Sequence, residues 1–517
     1  MKLAVPIALL LSASALVAAG PDACGPCHAK EVSGYARTGM ARSLFRPAGQ
    51  PSGRFTHALS GSVFSIQSTA SGMRQSLERD GVKGEFPIDY VIGSGNHAFG
   101  YLVRIGNYLF QSPVAYYSRK KLWDVAPGYE ADRNPDFTRP VTIECLLCHS
   151  GKPQPLAETL NGFKQPALEI EGISCDRCHG PVDAHLRTPS ARNILNPAKL
   201  SARARDSVCE QCHLGGEARI PNPGQKIGNF AAGQKLEDVF SVYVFQNPLG
   251  GLKVVSHAEQ LSLSTCALRS GDKMWCGSCH NPHDKPENAT TYYRARCLNC
   301  HGADLVKRHA APSEDCVGCH MQRQTARDGG HTAFTDHRIR RRPAASQPPA
   351  DAGRVLTAWR DPAQQVAKRN LGLANITVGE RDQSSSYMDA GYRLLSDVYE
   401  ISPKDPAVLT ALGLVLLRKG KPVEAAQLYE GALSLQPAYA PYHINVATAW
   451  NQAGDTAKAI LHLEKAIEMD PSLEAAYRQL GDIYSKNKQP DKMRETLQRY
   501  LRFNPNNVTV RAVLDQQ

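Results

Sequence analysis

The sequence predicts a mainly α-helical chain of two unlike parts, on three observations. Seven C-x-x-C-H motifs crowd the first 320 residues. Pro403, Pro437, Pro471 and Pro505 recur at intervals of thirty-four residues in the cysteine-free last third. Between the first two motifs, more than a hundred residues carry no such motif and alternate with the period of a strand. The expectation is a motif-bearing part over 20–342 with little regular structure and a β-rich insertion at about 50–140. A linker over 343–362 and an α-solenoid over 363–517 follow.

The chain opens with Met1-Lys2 and an uncharged apolar run, Leu3 to Ala19, ending in the small residues Val17-Ala18-Ala19. This reads as a signal peptide over 1–19, cleaved near Ala19, because it falls short of the roughly 20 residues that span a bilayer. Pro21-Asp22-Ala23 before Cys24 is not a lipobox. No second run of spanning length follows, so export to the periplasm or beyond is expected, with no transmembrane segment after cleavage.

The motifs pair Cys24 and Cys27 with His28, Cys145 and Cys148 with His149, Cys175 and Cys178 with His179, and Cys209 and Cys212 with His213. Three more pair Cys276 and Cys279 with His280, Cys297 and Cys300 with His301, and Cys316 and Cys319 with His320. Fourteen of the fifteen cysteines are used, leaving Cys266. Covalent haem c requires this spacing. Thiols at i and i+3 share one side of a helical turn and add to two vinyl groups, and the next residue offers an imidazole to the iron. Disulfides need no histidine after every pair. Structural zinc leaves seven identical histidine extensions unexplained. The expected cofactors are therefore seven covalently attached haem c groups, with the seven motif histidines as proximal ligands. Haem c attachment outside the cytoplasm agrees with export. The formal charge of +11 would otherwise suggest a nucleic-acid partner. Ionised haem propionates offset most of it, so no nucleic acid is expected.

An iron with two axial ligands passes electrons, whereas one with a single histidine can bind substrate. Eight further histidines in the first 343 residues are distal candidates: His57, His97, His185, His257, His283, His309, His331 and His337. His185, His283, His331 and His337 follow a motif closely, which favours donation to a neighbouring haem over their own. Met40 is a weaker axial candidate for the first haem, a lone methionine being more often packing.

In the motif-free stretch, "THALSGSVFSIQS" and "YLVRIGNYLFQSP" read as strands, the second turning at Gly106-Asn107. Within "GSGNHAFGYL", His97 reads as a ligand and not as part of a phosphate loop, for which the helix context is absent. So haem-dense a part is expected to fill its interior with porphyrin, with no ordinary aliphatic core and an unfolded apoprotein. Residues 338–362 are basic and Pro/Ala-rich, as in a boundary and linker. Arg340 to Arg342 are set against haem propionates or solvent. The thirty-four-residue period is that of tetratricopeptide repeats. Leu409, Leu412, Gly413 and Leu416 fill one helix, and Ala425, Tyr429 and Ala432 its partner. Ala447, Trp450, Ala459 and Ala466 repeat the pattern, then Tyr477, Leu480, Gly481 and Tyr484, while the unit before Pro403 is degenerate.

"GISCDRCHGPVDAH", "HAEQLSLSTC…MWCGSCHNPH" and "DCVGCHM…HTAFTDHRI" resemble segments of the multihaem cytochrome c superfamily over roughly residues 22–343. That superfamily includes a tetrahaem electron carrier, hydroxylamine oxidoreductase and pentahaem nitrite reductase. The whole chain resembles its exported members fused to tetratricopeptide repeats. The resemblance implies distal roles for His257 and His283. No C-x-x-C-K of the nitrite reductase kind is present, and no one tyrosine can be matched to the cross-linked tyrosine of hydroxylamine oxidoreductase.

The reading is an electron-relay protein through closely packed, mostly bis-histidine haems, not clearly an enzyme, whose repeats dock a redox partner protein. The alternative is an oxidoreductase acting on a small nitrogen or sulfur compound at one five-coordinate haem. A third reading makes the repeats an assembly scaffold with the haems as wiring.

Overall fold

Between the first and second motifs the alternating residues fold into antiparallel sheet, with alternate side chains buried along much of strands Val63–Thr69 and Val82–Ile92. The computed structural model describes residues 20–246, 252–307, 309, 314–341 and 354–515. The predicted signal peptide therefore lies outside the described residues, as does most of the predicted linker. The strands of this region are β1 (Leu44–Phe45), β2 (Gly53–Thr56), β3 (Val63–Thr69), β4 (Gly72–Arg79), β5 (Val82–Ile92) and β6 (Gly100–Ile105). They continue with β7 (Tyr108–Gln111), β8 (Val114–Tyr117), β9 (Leu122–Val125) and β10 (Arg139–Pro140). Eight of them form one sheet in the order β10-β7-β6-β5-β4-β3-β2, with β1 beside β5, while β8 and β9 make a separate hairpin. Asp80 and Gly81, at φ 53° and 78°, close the β4–β5 hairpin with the two-residue turn that suits strand twist. Gly106, at φ 58°, turns β6 into β7 where the sequence placed a hairpin.

The insertion owns an ordinary apolar core, which corrects the expectation for the motif-bearing part. Phe64, Ile66, Leu77, Phe86, Val91, Tyr101, Val103 and Phe110 are buried together on one face. On the other face Leu44, Tyr90, Leu102 and Leu109 pack on Leu146, which lies inside the second motif. Sheet faces this apolar bury one another without help from a cofactor. Apolar packing also reaches the second motif through Leu146 and the fourth through Leu214, and it thins out only around the last three motifs. From 253 to 341, Ala326 alone among the described residues is a fully buried hydrophobic. There Leu263 and Leu268 stand 49% and 72% exposed.

After the second motif, β11 (Lys152–Pro155) pairs with β12 (Phe163–Ile170). Further on come β13 (Ala218–Pro221), β14 (Phe240–Phe245), β15 (Arg323–Thr325), β16 (Ala333–Thr335) and β17 (Leu356–Ala358). β15 and β16 form a hairpin just after the last motif. β17 falls within the stretch read as a linker, yet it pairs with β14 in a three-stranded sheet. Trp359 then donates from Nε1 to Glu210 at 2.9 Å.

The repeats fold as helix pairs: Pro406–Arg418 with Pro422–Leu435, Ala440–Gln452 with Thr456–Met469, and Glu474–Lys486 with Pro490–Phe503. Asp405 caps the first of these by accepting from the amides of Ala407 and Val408, with Pro406 at the first helical position. A Cβ at Gly413 would stand 2.7 Å from the Tyr429 ring, so only glycine lets this pair approach. The degenerate unit is the pair Gln364–Arg381 and Ser385–Ile401.

Both ends of the solenoid are joined to the first part of the chain. Arg369 donates to the Pro221 carbonyl at 2.8 Å, and Asn370 to Asn222 and Ser241. At the other end, helix Val508–Asp515 inserts Val508 into the sheet core. Arg79 donates to Thr509 at 2.6 Å, and Arg511 to the Lys83 carbonyl at 2.7 Å. Among the described residues, no helix is long and apolar enough to cross a membrane.

Candidate haem-attachment sites

The C-x-x-C-H motifs lie on short helical turns. The amides of His28, His179 and His280 each donate to the carbonyl of their motif's first cysteine at 2.9 Å. That i to i+4 bond sets the imidazole one turn beyond the two thiols, as haem attachment needs. All fifteen cysteines are free thiols.

Five motif histidines face a second imidazole that comes from a different part of the chain. The His179 and His283 rings are stacked, with Nε2 atoms 3.4 Å apart. Ring centroids are 6.3 Å apart for His28 and His185, 6.2 Å for His280 and His337, 5.9 Å for His320 and His309, and 5.3 Å for His213 and His257. Metal–imidazole bonds of about 2 Å place two Nε2 atoms about 4 Å apart across one iron, with centroids about 6 Å apart. The spacing would suit an iron between the rings of the His28, His179, His280 and His320 pairs, whereas His257 lies nearer to His337, at 5.0 Å, than to His213.

The other ring nitrogen is also provided for. Nδ1 of His179, His320, His185 and His337 lies 2.8 to 3.0 Å from the carbonyls of Leu195, Arg340, Ser190 and Thr335. For His179, His320 and His337, donation there fixes the tautomer and turns the Nε2 lone pair outward, the arrangement a ligating histidine uses, while the His185 Nδ1 also accepts from the Ser190 amide at 3.3 Å. His280 instead has the Tyr293 hydroxyl 3.2 Å from Nδ1. Burial pushes His257 down to about 3 and His280 to about 4, with neighbouring histidines adding to the effect. Burial lowers His213, His283 and His337 too. These rings stay neutral near pH 7, the form that binds iron.

Three distal candidates sit elsewhere. His57 is buried in the β2–β3 turn with Nδ1 2.9 Å from the Ser60 hydroxyl. His97 stacks on Phe334 with centroids 4.1 Å apart. His331 pairs with Asp124 at 2.7 Å. Met40 is not required at the first motif, where His185 faces His28. Its carbonyl accepts from Ser43 and Ile173. Arg340 pairs with Asp336, and Arg342 lies outside the described residues.

Thiols of different motifs also meet. Cys24 is within hydrogen-bonding reach of Cys175, Cys148 of Cys212, Cys209 of Cys276 and Cys297 of Cys316. Cys178 lies near Cys209, and Cys279 near Cys300. This proximity runs from the first motif through the third, fourth, fifth and sixth to the seventh, with the second beside the fourth. Cys266, half-buried, lies near Cys279 and Cys297. Tyr293 and the carbonyl acceptors escaped the sequence reading, since only the folded chain brings them to a motif histidine.

Comparison with known proteins matches the chain in part. Over 37% of its length the chain is a homologue of a multihaem cytochrome, and residues 451–516 match the tetratricopeptide repeat family. The cytochrome relative is "Multiheme cytochrome MtrA" of Shewanella baltica (strain OS185), 26% identical over 207 residues. The match spans 56% of that relative's length. A second relative is "Probable UDP-N-acetylglucosamine--peptide N-acetylglucosaminyltransferase SPINDLY" of Hordeum vulgare. It is 31% identical over 103 residues, which is 19% of this chain and 11% of SPINDLY. Among solved structures, MamA of Desulfovibrio magneticus RS-1 is 16% identical over 27% of this chain and 85% of its own, at a TM-score of 0.24. An O-GlcNAc transferase mutant of Thermobaculum terrenum is 23% identical over 28% of this chain and 27% of its own, at a TM-score of 0.25.

Proposed function

We propose that this chain is an exported c-type cytochrome that carries seven haems and relays electrons among them, with its repeats docking a redox partner protein. Residues 1–19 serve as the signal peptide, 20–342 as the haem part and 363–517 as the docking part. The carrying observation is the set of five imidazole pairs, each made between a motif histidine and a histidine from outside that motif. An iron held by two imidazoles exchanges electrons without taking substrate. The thiol contacts support close packing, because a thiol at a ring edge marks where the next ring begins. The uncovered leucines of 253–341 fit the same reading, since porphyrin faces would cover them. The basic excess offsets propionate charge, and helix-end arginines such as Arg177 are suited to it.

Haem c supplies a one-electron couple whose potential follows ligand type, hydrogen bonding and exposure. The chain's own residues set those terms. Carbonyls on Nδ1 raise the basicity of the imidazoles, and the neutral, buried rings hold position without reorganising.

The test is a reductive titration of the full chain matured in a host that attaches haem c. The reading expects seven electrons accepted per chain over a spread of potentials, with a chiefly low-spin ferric spectrum. Uptake of one or two electrons would contradict it.

A further inference from the structure

The nitrogen that a ligating imidazole turns away from its iron meets unlike partners in different motifs. Nδ1 of His179 and Nδ1 of His320 each lie 2.8 Å from a backbone carbonyl, that of Leu195 and that of Arg340. Nδ1 of His280 instead lies 3.2 Å from the Tyr293 hydroxyl. The His280 and Tyr293 rings meet edge to face, with centroids 5.5 Å apart and planes at 69°.

Tyr293 reaches His280 from the helix of the next motif. Helix Ala289–Lys307 carries the sixth motif, and Tyr293 lies one turn ahead of Cys297. Tyr293, Arg296, Cys297 and Cys300 fall at i, i+3, i+4 and i+7, which is one face of a helix. The fifth motif lies against that face, since Arg296, Cys297 and Cys300 all stand near Cys279. The neighbouring Tyr292 is engaged otherwise. Its hydroxyl accepts from Arg296 at 3.0 Å, and its ring crosses that of Tyr293 with centroids 5.2 Å apart.

We propose that Tyr293 is a positioning residue that acts through His280 and holds the haem of the fifth motif at a higher reduction potential than a carbonyl partner would. This rests on the haem reading above and assigns one term of it to one side chain. With Nε2 committed to iron, Nδ1 carries the proton and donates to the Tyr293 oxygen. A phenol oxygen has lone pairs drawn into its ring, which makes it a poorer acceptor than a peptide carbonyl. The distance agrees, 3.2 Å against 2.8 Å. The His280 imidazole is therefore less electron-rich than those of His179 and His320. It stabilises ferric iron less, which raises the potential. Because Tyr293 belongs to the helix of the sixth motif, the setting is made where the fifth and sixth motifs meet.

The experiment uses the full haem-loaded chain, with haem counted first, and follows a reductive titration by electron paramagnetic resonance. His337→Ala identifies the signal in question, because it removes the ring that faces His280 and abolishes one low-spin signal. In Tyr293→Phe, which keeps the ring and loses the hydroxyl, that signal titrates at a higher potential while the others keep theirs. In Tyr293→Gln, which offers an amide carbonyl, it titrates at a lower one. Tyr292→Phe leaves it in place. An unchanged potential in Tyr293→Phe overturns the proposal, and so does a shift of the same sign in Tyr293→Phe and Tyr293→Gln, which repacking alone would give. A shifted signal that survives His337→Ala also overturns it, because Tyr293 then acts on another iron. A chain without haem overturns both readings. A chain with seven haems and no shift overturns this one alone.

Discussion

At the scale of the residue, a histidine becomes an iron ligand by what it does with its other nitrogen. His179 points Nδ1 at the Leu195 carbonyl and Nε2 at that of His283. Removing the facing ring is therefore a clean change. His283→Ala is expected to convert one low-spin haem per chain to a form that takes up carbon monoxide, without altering the number of haems attached. Visible spectroscopy under carbon monoxide checks it, and unchanged uptake would separate His283 from the iron held by His179. The C-x-x-C-H motifs are legible in the sequence because all their reactive groups fall within five residues. The pairing is not, since His28 and His185 meet only after the intervening sheet has folded. Tyr293 was hidden among nineteen tyrosines for the same reason, its meaning being one contact to His280.

At the scale of the element, the seam between the sheet and the last helix concentrates the testable energetics. Val508 is fully buried in the sheet core, so Val508→Ala should cost about 2 kcal/mol, as truncation of a packed aliphatic does. Gly84→Ala should disturb the same seam, because a Cβ there runs into the Asn506 carbonyl. Both are checked by denaturant midpoints. Asp136 lies in this seam, accepting from the Phe137 amide at 2.7 Å and from Thr509 at 3.2 Å. Burial pushes its carboxyl up to about 6. The folded chain thus holds a proton that the unfolded chain releases near pH 4, so this group lowers stability as pH rises from about 4 to about 6 and no further above. The loss is up to about 3 kcal/mol. Asp136→Asn should be more stable than the parent at pH 7, with the difference closing toward pH 4. A constant difference across that range would contradict the assignment.

The repeats were readable nearly residue by residue, because a thirty-four-residue period forces Leu409, Ala425 and Tyr429 into equivalent buried places. The sheet was read as smaller than it is. Short strands such as β1 and β10 are completed by partners distant in sequence, and two or three residues give no period. β17 escaped for that reason, inside a stretch whose composition says linker.

At the scale of the whole molecule, the solenoid is anchored at both ends and not tethered at one. Its first helix packs on β13, β14 and β17, and its last on β4 and β5. Deleting residues 363–517 is therefore expected to uncover both surfaces and yield unfolded or aggregated protein, as light scattering would show. A soluble, stable haem part would contradict the clamp. The seven motifs lie within this frame, with cysteines of successive motifs near one another, and the account depends on what those thiols carry. Intact-mass measurement of the secreted chain tests that most directly. The account predicts a single species heavier than the processed polypeptide by seven haem groups, with Cys266 unmodified. A mass equal to the bare polypeptide, or an addition explained by zinc or disulfides, would contradict it.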